Sequence, residues 1–180
     1  MKMSKSLNII LAGFGGQGIL FAGKVTAYAA LFEGKELSWL PSYGPEMRGG
    51  TANCSVVISD EAIGSPLVTA PDVLIAMNLP SLNKFVDKVV PGGTIIIDSS
   101  IVDAKVERDD VTTIYVDATE LAEKNEIKGL ANIILLGKLF KETGFCSLEN
   151  LHKSIEKCVP AKKAQMVDFN KKAIQVGIDA

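Results

Sequence analysis

Asn8-Ile9-Ile10-Leu11-Ala12-Gly13-Phe14-Gly15-Gly16-Gln17-Gly18-Ile19-Leu20 is the stretch on which the fold turns. A short apolar run ends in a cluster of glycines, and helical spacing begins at once. Gly13, Gly15 and Gly18 match G-x-G-x-x-G at a strand-to-helix junction. Glycine serves there by allowing a tight turn, a close approach of another group to the backbone, and close packing of helix on sheet. The helix that follows opens with unpaired N–H groups and a positive dipole end, which suit an anion.

The next strand tests a dinucleotide reading. Nicotinamide sites place Asp or Glu about 20 residues on, at the end of the second strand, to hold ribose hydroxyls. Here the second strand reads as Leu37 to Leu40 and runs into Pro41-Ser42-Tyr43. Glu33 and Glu36 precede it, on the wrong side. An independent NAD(P)-dependent oxidoreductase of Rossmann type is therefore the alternative reading, not the leading one.

Downstream, Gln17 to Phe32 is expected to be a helix with a small-residue face around Gly23, stopped by Gly34. Thr51 to Ser59 alternates like a strand, and Ile63-Gly64-Ser65-Pro66 is expected to return beside it as an inserted hairpin. Asp72 to Met77, Thr94 to Asp98 and Thr112 to Val116 read as further strands. Pro80 opens one helix and Asp117 precedes another. The last third is helical: Asn132 to Lys141 with a close-packing Gly137, a helix capped by Ser147, and a final helix from Pro160 to Gly177 with Ala164, Val167, Ala173 and Ile174 inward. The expected fold class is α/β: a Rossmann-like, mixed, mostly parallel sheet flanked by helices, with an inserted hairpin and a helical C-terminal third. Residues 1–180 are expected to form one domain.

The 180 residues suffice for a sizeable core, and 47% apolar with 22% charged residues is ordinary for a globular protein. Nineteen basic and 21 acidic side chains give a net charge of −2, and no basic run marks a nucleic-acid surface. No apolar run is long enough for a membrane span, so a cytoplasmic location is expected. Cys54, Cys146 and Cys158 are far apart, without C-x-x-C, which excludes an iron–sulfur cluster held by this chain alone. The single histidine, His152, lies in a helical pattern and makes a Cys–His nucleophile improbable.

The segment Tyr43-Gly44-Pro45-Glu46-Met47-Arg48-Gly49-Gly50 follows the glycine turn after one helix and one short strand. Together, Gly-Gly-Gln-Gly and Pro-Glu-x-Arg-Gly-Gly resemble the gamma subunit of the 2-oxoacid:ferredoxin oxidoreductases. The resemblance covers nearly the whole chain, including Asp72-Val73-Leu74-Ile75-Ala76, Asn132 with Leu136-Gly137, and Asn170 to Gly177. Ile174 stands where the family often has Phe, a difference of packing.

That resemblance implies a complex that oxidatively decarboxylates a 2-oxoacid, with 2-oxoglutarate favoured, using coenzyme A to give an acyl-CoA. Electrons pass to ferredoxin. Thiamine diphosphate, Mg and iron–sulfur clusters are expected in the alpha and beta subunits and in a small ferredoxin-like delta subunit, with none bound by this chain alone. The chain would assemble the complex and complete its active site. Arg48 is the candidate site-completing group, since a guanidinium forks onto a carboxylate or phosphate. Glu46 would orient it or pair across the subunit boundary. Alternatively the two only brace their own loop, and the chain is a scaffold. Tyr43, Gly49 and Gly50 would meet a partner or cofactor. Gly13, Gly15, Gly16, Gln17 and Gly18 would hold a diphosphate, such as that of coenzyme A, or receive a neighbouring subunit, the latter being favoured. Gln17 would offer its amide to either.

Overall fold

The computed structural model describes residues 6–42 and 51–180. Its six strands form one sheet in the order β2-β3-β1-β4-β5-β6. They are β1 (Ser6–Phe14), β2 (Glu36–Ser42), β3 (Thr51–Ser59), β4 (Val73–Ala76), β5 (Thr94–Asp98) and β6 (Thr112–Val116). β1, β4, β5 and β6 run parallel, whereas β3 is antiparallel to both β1 and β2. The helices are α1 (Ile19–Phe32), α2 (Leu79–Phe85), α3 (Ala118–Lys124), α4 (Ala131–Thr143), α5 (Leu148–Cys158) and α6 (Met166–Asp179).

The central strands carry unbroken apolar runs, Ile9–Ala12, Val73–Ala76 and Ile95–Ile97, because both faces of the sheet are covered there. Ile9 and Leu11 point into a core shared with α1, α3, α4, α5 and α6, while Ile10 and Ala12 point into the core under α2. β4 repeats the division, with Val73 and Ile75 on one side and Leu74 and Ala76 on the other. On the α2 side, Arg108 clamps the segment after the helix. It donates to the carbonyls of Val86 and Val89, each at 2.8 Å, and pairs with Asp110 at 2.6 Å.

Gly23 lets α1 lie on β3: a Cβ there would strike Cys54 Sγ and sit 3.1 Å from Trp39 Nε1. Gly34, at φ +74°, ends the helix in the left-handed conformation expected of a C-terminal stop. The closest helix crossing is between α4 and α6. A Cβ on Gly137 would strike the carbonyl of Ile174, and one on Gly177 would strike that of Ile134. Lys138, buried at the same crossing, donates to the carbonyl of Ala180 at 2.9 Å and pairs with Glu142 at 3.1 Å.

Three expectations are corrected. The partner of β3 in the hairpin is β2, and Ile63 to Pro66 forms no strand. The hairpin is therefore β2–β3, and β3 is the strand inserted between β1 and the strand that α1 leads to. Helix α1 begins two residues later than its apolar spacing suggests, because Gly18 is left-handed at φ +73°. The last helix begins at Met166, after a 3-10 turn over Ala161–Lys163, which leaves Ala164 exposed.

Candidate functional site

Parallel strands bring their carboxyl ends to one edge. In open α/β sheets ligands bind there, where the chain switches from one side of the first strand to the other. Here that point lies between β1 and β4, since α1 carries the chain toward β2 while β4 pairs on the opposite side of β1.

The glycine turn occupies this point. Gln17 N–H donates to the Phe14 carbonyl at 3.2 Å, closing a four-residue turn whose third residue, Gly16, has φ +92°. Positive φ at that position is what a type II turn asks of glycine. A Cβ on Gly13 would sit 2.6 Å from Gln17 Oε1 and 3.0 Å from the Ile19 side chain. A Cβ on Gly18 would strike Asn132 Nδ2. Gly16 has open space around it, and Gly15 lies in the turn itself.

Gln17 spans the crevice. Its Oε1 accepts from Phe14 N–H at 2.6 Å, and its Nε2 donates to the Met77 carbonyl at 3.1 Å. The amide read as available to a ligand or partner is thus bonded at both ends within the chain. Asn132, on α4, fixes the other end of the turn by donating from Nδ2 to the Gly18 carbonyl at 2.9 Å.

Beside the turn lies a cleft of about 280 Å³, lined by Gly16, Gln17, Met77, Ile101, Thr119 and Asn132 among others. Its floor is rigid. Buried Asp98, at the end of β5, accepts from Thr119 Oγ1 at 2.6 Å, from Thr119 N–H at 3.3 Å and from Ser100 N–H at 3.2 Å. Phe14, Leu79 and Ile101, which follow or end β1, β4 and β5, expose 38%, 44% and 46% of their surface. The carboxyl edge therefore carries three large apolar side chains in solvent.

Tyr43, Glu46, Arg48, Gly49 and Gly50 lie outside the described residues. The residues that bracket them are placed: Ser42 pairs with Asn53, and Thr51 pairs with Phe14, so both brackets stand at the carboxyl edge next to the glycine turn.

The dinucleotide alternative loses a geometric requirement. In a Rossmann site the acidic residue stands at the end of the strand beside β1. Here β3 fills that place, which moves β2 to roughly 10 Å from β1 at two strand spacings. Thiol chemistry is disfavoured as well. Burial pushes the Cys54 thiol up to about 12, against a smaller opposing effect from Trp39. Burial, and then the negative charge of Glu33, raise Cys146 to about 12; burial raises Cys158 to about 11. His152 is lowered by burial and then by Lys171, so it is a poor cation. Among the described residues no group of three or more His, Cys, Asp or Glu side chains could hold a metal ion. Nor is any described helix long and apolar enough to cross a membrane. The three cysteines sit on β3, before α5 and at its end, an arrangement that does not fit an iron–sulfur cluster.

A family model described as pyruvate ferredoxin/flavodoxin oxidoreductase matches residues 8–180. The chain belongs to that family. It is of the gamma-subunit type: it is similar to the gamma subunit of a keto/oxoacid ferredoxin oxidoreductase from Geobacter sulfurreducens, at 31% identity, with 96% of each chain covered and a TM-score of 0.83. It is also similar to the ketoisovalerate oxidoreductase subunit VorA of Methanothermobacter thermautotrophicus, 41% identical over 96% of this chain. The match spans 36% of VorA, so the chain corresponds to about a third of that longer protein. A third relative is the 2-oxoglutarate:ferredoxin oxidoreductase from Magnetococcus marinus, solved with 2-oxoglutarate, coenzyme A and succinyl-CoA bound. It is 25% identical with a TM-score of 0.87, and the match covers 98% of this chain and 31% of that one.

Two residues of this gamma-type site go beyond a sequence reading. Asp98 reads only as the last residue of an isoleucine strand, and Asn132 only as a family match. The hydrogen bond from Asn132 reaches Gly18 across 114 positions, and no local signal reports such a contact.

Proposed function

We propose that this chain is the gamma subunit of a 2-oxoacid:ferredoxin oxidoreductase complex, folded as a single domain over residues 1–180. The complex converts a 2-oxoacid and coenzyme A to an acyl-CoA, carbon dioxide and a proton, and gives two electrons to ferredoxin. Thiamine diphosphate, Mg and iron–sulfur clusters belong to alpha, beta and small ferredoxin-like subunits, and the assembly is cytoplasmic. The carbanion chemistry is the thiamine cofactor's. This chain's part is to assemble the complex and complete its site.

The observation that carries the reading is the carboxyl edge. A glycine turn stitched by Gln17 stands beside the brackets of the segment that contains Arg48, and Phe14, Leu79 and Ile101 are exposed at the same edge of the sheet. Exposed apolar side chains around polar backbone groups favour a subunit contact. Gly15 and Gly16 bring the backbone close to that partner, while Gly13 and Gly18 hold the turn in place by making room for Gln17, Ile19 and Asn132. Arg48 forks onto a carboxylate or phosphate at the shared site, Glu46 orients it, and Tyr43, Gly49 and Gly50 meet the partner surface.

Relatives of this chain are named for ketoisovalerate and for 2-oxoglutarate. We take 2-oxoglutarate as the substrate, with ketoisovalerate its first competitor. The test is purification of the chain alone and reconstitution with alpha and beta subunits. The lone chain is expected to decarboxylate nothing and hold no thiamine. Reconstitution should restore ferredoxin reduction that depends on coenzyme A, and Arg48→Ala should lower it while the complex still assembles. Turnover by the lone chain, or tight NAD(P) binding by calorimetry, would revive the Rossmann dehydrogenase.

A further inference from the structure

The sheet ends in a different kind of strand on each side. β6 is five residues long, and the segment before it is tied across one face by Val106 N–H, which donates to Tyr115 Oη at 2.9 Å, and by the Lys105 ammonium 4.4 Å from the Tyr115 ring centroid. β2 is seven residues long with no bulge in its register, and none of the described residues pairs with its outer side. A long regular edge invites another strand, and proteins commonly guard against this.

The register fixes what that edge offers. Asp72 N–H and Met77 N–H donate to the carbonyls of Asn8 and Ala12, so even-numbered residues of β1 turn their backbone groups to β4 and odd-numbered ones to β3. The pairs Leu11↔Cys54 and Leu40↔Ser55 carry the alternation outward. Glu36, Ser38, Leu40 and Ser42 therefore spend their backbone groups on β3. Leu37, Trp39 and Pro41 point theirs away from the sheet: the N–H groups of Leu37 and Trp39, and the carbonyls of all three. Proline stands where its missing N–H costs the ladder nothing.

The same strand floors a groove. Leu37 and Trp39, two apart and so on one face of β2, join Lys24, Ala27, Tyr28 and Leu31 of α1 in lining a groove of about 270 Å³. Leu31 is 50% exposed. Lys24 is partly buried there; its ammonium lies 5.9 Å from the Tyr28 ring centroid and has no ion pair among the described residues. A cation held half out of water in an apolar groove favours a carboxylate. An open edge beside an apolar groove with one unpaired cation fits an extended segment whose alternate side chains are apolar and which carries an acidic residue.

The longer relatives point to a source for that segment. The match spans 36% of VorA and 31% of the Magnetococcus marinus chain, so most of each polypeptide is tethered to the domain that corresponds to this one. We propose that β2 takes a seventh strand from a separate subunit, the counterpart of that tethered remainder, with apolar side chains between Tyr28, Leu31 and Trp39 and a carboxylate on Lys24. The choice of partner rests on the functional reading above, in which this chain works inside a complex.

The test compares the full-length chain alone and reconstituted with that subunit, by amide hydrogen exchange resolved to single residues. Alone, the amides of Leu37 and Trp39 should exchange fast and those of Ser38 and Leu40 slowly. In the complex, Leu37 and Trp39 should slow by at least about tenfold while Ser38 and Leu40 change little. Lys24→Glu should weaken the association about tenfold, the loss of one charge-assisted contact, and Lys24→Arg should keep it. Leu37→Pro removes an outward N–H and no bond to β3, so it should also weaken the association; where that variant does not fold, the exchange pattern decides. A complex in which Leu37 and Trp39 stay fast, or an affinity that Lys24→Glu leaves unchanged, would overturn the proposal. So would protection of both amides in the lone chain that grows with concentration, because a second copy would then cover the edge. Failure to form any complex would overturn the proposal and the functional reading together. A complex that protects both amides yet reduces no ferredoxin would overturn that reading alone.

Discussion

Gln17 Nε2 donates to the Met77 carbonyl while Gln17 Oε1 accepts from Phe14 N–H, so one side chain ties the end of β1 to the end of β4. Gln17→Ala removes both bonds and leaves a backbone N–H and a carbonyl unmet at the switch point. The expected loss is about 1–3 kcal/mol, or a drop in Tm of very roughly 2–10 °C for a chain of this size. Gln17→Glu keeps the acceptor and loses the donor, placing a carboxylate against the Met77 carbonyl, and should be at least as harmful. Thermal unfolding followed by circular dichroism checks both.

Gly137 and Gly177 face each other where α4 crosses α6, each closing on the other helix's carbonyl. Alanine at either position forces the helices apart. Each single substitution should cost at least about 1–3 kcal/mol, the range for overpacking. Once the helices have separated for the first methyl group, the second costs less. The double variant should therefore be less destabilised than the sum of the two singles, a departure from additivity that chemical denaturation of all four proteins measures.

Glu33, just past α1, receives hydrogen bonds from Ser147 N–H and from Asn150 Nδ2, the latter at 2.8 Å. These bonds, those from Ser147 first, hold its carboxyl below the ordinary 4.5. A lowered carboxyl adds stability that is fully present above 4.5 and is lost as pH falls through the folded value. Glu33→Gln should therefore flatten the stability profile on the acid side of pH 4.5 and leave its slope near neutrality alone. Urea unfolding at several pH values checks this.

The three cysteines should be silent toward a thiol reagent in the native chain at pH 8, because burial raises Cys54 and Cys146 to about 12 and Cys158 to about 11. In guanidinium chloride all three should react. Rapid native labelling of Cys146, the most accessible of them, would show that α5 separates from α1.

What the chain disclosed in advance was what local chemistry decides. Ile9 to Ala12 read as a strand and the glycine cluster as a tight turn into a helix, and β1 and α1 stand there with the turn after Phe14. Ser147 capped α5 as its hydroxyl suggested, accepting from Asn150 N–H at 3.2 Å. The misreadings fall where distant partners decide. Ile63 to Pro66 has the residues of an edge strand and lies nearest β3 in sequence, yet β2 takes that edge with seven pairs from Glu36↔Ser59 to Ser42↔Asn53. Pro160 can open a helix, but the chain makes one 3-10 turn first and starts α6 at Met166. The cleft wall was illegible for a similar reason: Asn132 looks like one more residue of an apolar helix until Gly18 is brought against it.

The insertion of β3 between β1 and β2 has an evolutionary corollary. Seven consecutive pairs fix the register of that hairpin's stems, independently of what joins them. The protein thus holds both ends of residues 43–50 at fixed places in the sheet, Ser42 opposite Asn53 and Thr51 opposite Phe14. Transplanting the tip between relatives that prefer different oxoacids would ask whether such preferences travel with it.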